Sequence, residues 1–441
     1  NIMALTKASY SMIEGSFVNI LDFGASTGAS DVANATAIQA ALDSLKNVGG
    51  TILIPAGAFS LTSLSVNDLS YSGIKVLGMS SQLSILNFTS TGTSVTMGDV
   101  SPNYLQNFTF ENLVMNSPNS NVMFAMERCD QCSFRKVRIT ETGGAGSASK
   151  GFFLTRCMAT LFEELSYGGV TNAETGIIIT EDSDGTSFFH CYLKGGPLCV
   201  NTVVLTAGTV SVAHLITGIR DCILGGGTNA TMLIGADGNT QCVDIRNNYF
   251  ETAPNKGIVL GNAAGGFEAQ EITIEGNYFY DYGDDAIVLS ASTNVSICRN
   301  KFITITGYDI SINPSDATKN KEIIIQQNSL TKNIEINAAQ RNIRWQNDDK
   351  TVRDTFSIYS TSASWTPGTI ANGASVSTPV TVAGAVVGWI ASASFSQSIG
   401  GMSISAALTT DTVCTVVITN NTGGSLTLSA GTVRVIVTPT T

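Results

Sequence analysis

The chain reads as an all-β protein: a solenoid of stacked coils with one capping helix before it and a β-sandwich after it. Three observations predict this. An apolar motif recurs every 23–31 residues, glycine is frequent while charge is scarce, and charge almost vanishes after residue 360.

The 441 residues include 43 Gly and 9 Pro, with only 13% charged side chains. So many glycines among so few charges suit tight turns between short strands, not exposed helices. The net charge of −11 argues against a nucleic-acid partner, because phosphate binding needs a basic surface. Membrane spanning is not expected either, because no run of about 18 apolar residues occurs. The opening NIMALTKASYSMIEG lacks a basic n-region followed by an apolar h-region, so no secretory signal is read there.

Residues 1–50 are expected to hold an N-terminal segment and the capping helix. Ile38, Ala41, Leu42 and Leu45 fall at i, i+3, i+4 and i+7, which predicts an amphipathic helix from about Asn34 to Lys46, stopped by Gly49-Gly50. A helix laid over the open first coil would shield its edge from water.

Residues 51–346 carry the repeat. Nine segments align, anchored at Phe110, Phe134, Phe162, Phe188, Ile219, Ile245, Ile274, Ile297 and Ile325. Spacings of this size suit three short strands and three turns per coil. The fourth position carries Asn248, Asn277, Asn300 and Asn328, a residue that tolerates left-handed turns and can bond from rung to rung. A second strand follows each unit, and its outward middle residue is itself apolar. Phe153, Ile178, Val204, Leu233, Val259 and Val288 should then stack as an outer apolar column. Such a column predicts burial between subunits, as in a parallel homotrimer, or cover from the chain's own loops.

Residues 347–360 read as a linker. From Thr361 to Thr441 the charged residues are Asp411 and Arg434 alone, and alternating runs such as TVCTVVITNN predict a β-sandwich for assembly or glycan binding. The nine cysteines are expected to be reduced and buried. Cys129 and Cys132 form one CxxC, but His190 and His214 lie far off, so neither a metal nor a cofactor is expected.

The stretches VNILDFGAS, ATAIQAALDSL and GGTILIPAGAF, followed by coils with IxxNxF, resemble the pectate-lyase superfamily of right-handed parallel β-helices. With the start ALTKASYSMIEG, the chain is similar to bacteriophage tailspike depolymerases over about residues 15–345. The resemblance implies a virion tail protein made in the bacterial cytoplasm and acting on the host surface. It also implies a homotrimer, and attachment to the particle through a part preceding residue 1. The fold itself does not specify the reaction, because it hosts lyases, hydrolases and esterases.

Cleaving a glycosidic bond takes one group to protonate the leaving oxygen and another to activate water. Neighbouring coils can supply both, because adjacent rungs lie about 4.8 Å apart. The register puts Glu251 beside the Tyr280–Asp281 turn, with Asp284 and Asp285 just beyond it. The resemblance carries the catalytic carboxylates of tailspike endoglycosidases onto Glu251, Asp281 and Asp284. The GDDAI element is also similar to the paired aspartates of polygalacturonases, but NKG at 255–257 and GYD at 307–309 depart from the companion elements of that family. Tyr249, Tyr278, Tyr280 and Tyr282 are candidate sugar platforms, and Arg156, Arg220 and Arg246 candidate anchors for sugar carboxylates. Arg135, Lys136 and Arg138 add to this basic set. A second candidate cluster comprises Glu164, Glu181, Asp182 and His190. Both clusters also have a plainer reading as solvated turns. The expected function is endo-hydrolysis of a bacterial surface polysaccharide, capsule or O-antigen; the alternatives are a lyase on the same scaffold and a non-catalytic glycan-binding fibre.

Overall fold

The computed structural model describes residues 17–98, 103–142, 150–168, 175–181, 183–196, 199–207, 212–312, 320–331, 334–336, 343–346, 352–355, 359–382 and 385–438. The start ALTKASYSMIEG and Asp182 lie outside the described residues. The architecture is a right-handed parallel β-helix with antiparallel sheets in the C-terminal part. Each coil visits three parallel sheets in turn, which hold 14, 10 and 11 strands among the described residues. They are called here the first, second and third sheets.

The nine anchors form one unbroken vertical ladder in the first sheet, each paired with the next from Phe110 to Ile325. In-register parallel stacking places like on like, so the interior fills with superposed rings. Phe110, Phe134, Phe162 and Phe188 stack at 5.5, 5.2 and 4.6 Å, and Phe250, Phe279 and Phe302 at 4.6 and 5.0 Å. All seven rings are buried, so each coil's core is completed by its neighbours.

The turn from the first to the second sheet has a fixed form. Its third-position residue is left-handed in all nine units: Asn112, Lys136, Glu164, His190, Asp221, Asn247, Gly276, Arg299 and Gln327. The asparagines expected to take that geometry are one position later and face inward. Asn248, Asn277, Asn300 and Asn328 form a buried ladder in which each Nδ2 donates to the next Oδ1 at 3.0 Å. Each Oδ1 also accepts the backbone N–H of the preceding asparagine at 2.9 Å. A carboxamide fits because it offers donor and acceptor to a turn whose backbone cannot otherwise be satisfied.

The helix spans Asp31–Asp43, three residues earlier than expected at both ends. Ser30 caps it by accepting from the Ala33 N–H. Asn34, read as the first helical residue, instead points into the coil, where it bonds Ser26 and the Ser60 carbonyl. Ile38, Ala41, Leu42 and Leu45 are buried, although Leu45 lies beyond the helix. Gln39 donates to the Ser65 carbonyl and accepts the Ser65 N–H, satisfying an edge strand. No helix among the described residues is long and apolar enough to cross a membrane.

The chain divides into two compact units, Asn1–Gln340 with Gln346–Thr351, and Arg341–Trp345 with Val352–Thr441. The second contains two three-stranded antiparallel sheets, one built on Gly431–Thr438 and the other on Val413–Thr419. Val380, Cys414 and Val416 share a core with Val433, Val435 and Val437, which makes a sandwich. The expected linker at 347–360 holds the strand Val352–Thr355 and the first residues of Tyr359–Trp365. All nine cysteines are free and eight are buried.

Replacing Asn277 by Ala strands its partners Asn248, Asn300 and the Ile245 carbonyl, at a cost of roughly 3 kcal/mol. Denaturant unfolding should show a larger loss for Asn277→Ala than for Asn328→Ala, where the described ladder ends.

Candidate active site

The second sheet carries an outward column set by the fifth position of each repeat. Arg138, Ser166, Tyr192, Ile223, Tyr249, Tyr278 and Lys301 pair rung by rung. Tyr249 and Tyr278 stack at 5.1 Å, and the Lys301 ammonium sits 5.4 Å from the centre of the Tyr278 ring. Tyr280, two residues past Tyr278, lies 6.5 Å from Tyr249. The result is a continuous aromatic and aliphatic surface parallel to the coil axis.

The next outward column, two residues along, runs Lys194, Gly225, Glu251, Tyr280 and Ile303. Gly225 has no side chain between its neighbours. Lys194 therefore reaches across two rungs to the Glu251 carboxylate at 3.0 Å, and that bond raises the lysine's pKa. Thr252, Asp281 and Thr304 are left-handed at equivalent places, so each strand presents two successive residues outward. Glu251, Tyr280 and Asp281 thus share the outer face of the second sheet.

Asp284 and Asp285 occupy the corner where the chain passes into the third sheet. Asp284 pairs with Lys256 at 3.0 Å. Asp285 accepts from the Tyr308 N–H at 2.7 Å and shares the single Ser311 hydroxyl proton with Glu335, whose carboxylate accepts it at 3.0 Å. Burial raises the Asp285 pKa, and the charges of Asp284 and Glu335 raise it further against these two hydrogen bonds. Gly307 is required beside it, since a Cβ there would lie 2.3 Å from Asp285 Oδ1. The corner therefore pairs a carboxyl biased toward its acid form with a carboxylate held by a lysine.

Other predicted residues are dispersed. Tyr282 faces the core at 1% exposure, bonded to Thr231 at 3.1 Å, and offers no ring to a ligand. Arg220 and Arg246 project from the first sheet, where Asp244, Glu275 and Arg299 join them in a chain of ion pairs. They stand at the second position of the repeat, whereas the tyrosines stand at the fifth, so they line a different face. Arg156 lies in the turn from the third sheet back to the first, between Glu127 at 3.2 Å and Glu181 at 2.5 Å. Glu164 and His190 hold the third position of successive units, in the turn from the first sheet to the second. The second cluster is therefore split between two corners of the coil. His190 packs its ring 3.8 Å from Phe189. Among the described residues no group of three or more His, Cys, Asp and Glu could hold a metal ion.

Tyr192, Ile223, Lys194, Lys256, Ser311 and Glu335 were not singled out from sequence. Tyr192 and Ile223 could have been, because they hold the same fifth position as Tyr249 and Tyr278. Glu335 gave no such signal, because its contact with Ser311 depends on the path between coils.

If Tyr282 is a core residue, Tyr282→Phe should cost about 1 kcal/mol for its one hydroxyl bond. Chemical denaturation checks this.

Neither a protein-family model nor a curated protein matches the sequence. Solved structures do match in fold. An Acinetobacter phage tailspike protein superposes with a TM-score of 0.55 at 12% identity, covering 96% of this chain and 87% of its own. A variant tailspike of Escherichia coli bacteriophage HK620, in complex with a pentasaccharide, gives 0.50 at 12% identity, covering 96% and 94%. At such identities the likeness speaks for the fold: this chain is a parallel β-helix of the kind seen in phage tailspike proteins.

Proposed function

We propose that the chain is a phage tailspike endo-glycosidase that hydrolyses a bacterial surface polysaccharide laid along the second sheet. The observation that carries this reading is the aromatic column from Tyr192 to Tyr278, with Glu251 on the next outward column and Asp284 and Asp285 at the corner that follows the Tyr278 strand. Pyranose rings have apolar C–H faces that pack on such surfaces, and a column parallel to the axis suits a polymer. The pentasaccharide bound to the HK620 tailspike agrees with a saccharide ligand for this fold.

In this reading Asp285 gives its proton to the glycosidic oxygen as the bond to the anomeric carbon breaks. Glu251, positioned by Lys194, takes a proton from the water that attacks that carbon. Asp281 and Asp284 hold sugar hydroxyls beside them, and Tyr249, Tyr278 and Tyr280 carry the rings. The same proposal includes a homotrimer. The column Phe153, Ile178, Val204, Leu233, Val259 and Val288 is in strict register on the third sheet, and an apolar strip that long favours a covered face.

Incubation with capsule or O-antigen from candidate hosts tests the reaction. Hydrolysis yields new reducing ends without the ultraviolet absorbance of an unsaturated uronate. That absorbance would mean elimination, and no released product would mean a binding fibre. Glu251→Gln and Asp285→Asn should each lower oligosaccharide release by about a hundredfold or more, and Asp281→Asn, which weakens a contact to a sugar hydroxyl, by roughly tenfold, while assembly is kept. Full activity in all three would discard this site.

The pH profile should carry the Asp285 signature. As the proton donor it works below its raised pKa, so activity falls as pH rises through that value. The folded state holds this proton more tightly than the unfolded chain does. Its stabilising contribution is therefore present at low pH and lost as pH rises through the folded pKa. Glu335→Gln removes a charge that raises this pKa, so the alkaline limb of the pH–rate profile should shift to lower pH.

A further inference from the structure

At the head of the aromatic column the first-to-second-sheet corner holds an open depression of about 380 Å³. The turn at 79–83, between the strands Ile74–Gly78 and Ser84–Phe88, forms one wall through Ser81 and Gln82. Lys136, Val137, Arg138, Glu164 and Ser166, from two later coils, form the rest. Gln82 reaches over the intervening coil and accepts from Arg138 Nη1 at 3.3 Å. This contact orients the guanidinium without neutralising it.

The charge balance here is unusual for this surface. Arg128, Arg135, Arg156, Arg220, Arg246 and Arg299 each have a carboxylate partner. Among the described residues Arg138 has none. Lys136 pairs with Glu164 at 3.9 Å, which leaves the Arg138 charge uncompensated, so the depression keeps a net positive charge on a chain of net charge −11. Arg138 also stands in the ladder that runs from the buried Val114 through Ser166, Tyr192, Ile223 and Tyr249 to Tyr278, as its first exposed side chain after Val114. Five rungs of about 4.8 Å separate it from Tyr278, roughly 24 Å of track. A forked cation with unspent donors at one end of a saccharide track calls for an oxyanion on the saccharide.

We propose that this depression is a subsite for the carboxylate or phosphate of an acidic sugar, anchored by Arg138 with Lys136 beside it. The polymer engaged by the chain is then acidic, with a charged group several sugars from the bond that is cut. The inference rests on the second-sheet face being the saccharide track. Ser81, Gln82 and Ser166 supply hydrogen bonds to the same sugar, while Glu164 disfavours a second negative charge and so sets where the anion sits.

Ligand-observed nuclear magnetic resonance titration of the full chain tests this with glucuronate, glucose 1-phosphate and glucose as probes. Glucuronate or glucose 1-phosphate should bind in preference to glucose, and binding should weaken with added salt. Preference between the two acidic probes identifies the carboxylate or the phosphate. Arg138→Ala should weaken binding about tenfold or more, because a charge-assisted hydrogen bond is lost. Arg138→Lys should restore part of it, and Glu164→Gln should tighten it by about twofold. Glucose binding as well as the acids, or Arg138→Ala leaving the affinity unchanged, overturns the proposal. The titration needs no bond cleavage, so it stands apart from the Glu251 and Asp285 variants. If those variants keep full activity while the acidic probes still bind through Arg138, the catalytic assignment fails and the subsite remains.

Discussion

Everything in the coil depends on one constraint: successive turns must stack in parallel register, so that each side chain finds its own equivalent above and below. The left-handed third position enforces this at the first-to-second-sheet corner, because it sends every strand of the second sheet off at the same angle. Non-glycine residues hold that conformation at a cost of roughly 1–2 kcal/mol each. The asparagine ladder behind it offsets the cost by tying one coil's corner to the next. Where asparagine gives way to Cys222, its N–H still accepts the arrangement by donating to Asn248 Oδ1 at 2.9 Å.

Register turns sequence position into surface chemistry. A residue's place in the repeat decides which of three faces it occupies, and its coil number decides its height. The second position feeds the ion-paired face of the first sheet, and the fifth feeds the aromatic column of the second. Middle residues of the later strand feed the apolar column of the third. Residues 57 positions apart can therefore act together, as Lys194 and Glu251 do across the gap at Gly225. Close neighbours in sequence, such as Tyr280 and Tyr282, end on opposite sides of the wall.

This explains what the sequence revealed. The nine anchors, the outer apolar column and the pairing of Glu251 with the Tyr280 rung all follow from the repeat, and each was legible. Helix placement was harder, because Asn34 looks like a helix start yet serves the coil, and Ser30 does the capping. Arg220 and Arg246 stand at the second position of the repeat and Tyr249 and Tyr278 at the fifth, a separation that residue type alone does not reveal. The same holds for Tyr282: the bulge at Asp281 reverses the alternation and turns its ring inward. Ser311 and Glu335 stayed hidden because a hydrogen-bond network across a corner depends on turn shape, which periodicity does not encode.

The anchors are 23 to 31 residues apart, yet their pairing never slips. Most of the variation in length is therefore absorbed by the turns, with single residues taken up by bulges between His214 and Thr217 and opposite Met115–Ser117. A turn such as 79–83 can be lengthened, shortened or exchanged without disturbing a buried ring. The outer contour can thus change while the same interior is inherited, and selection on the surface is uncoupled from selection on folding.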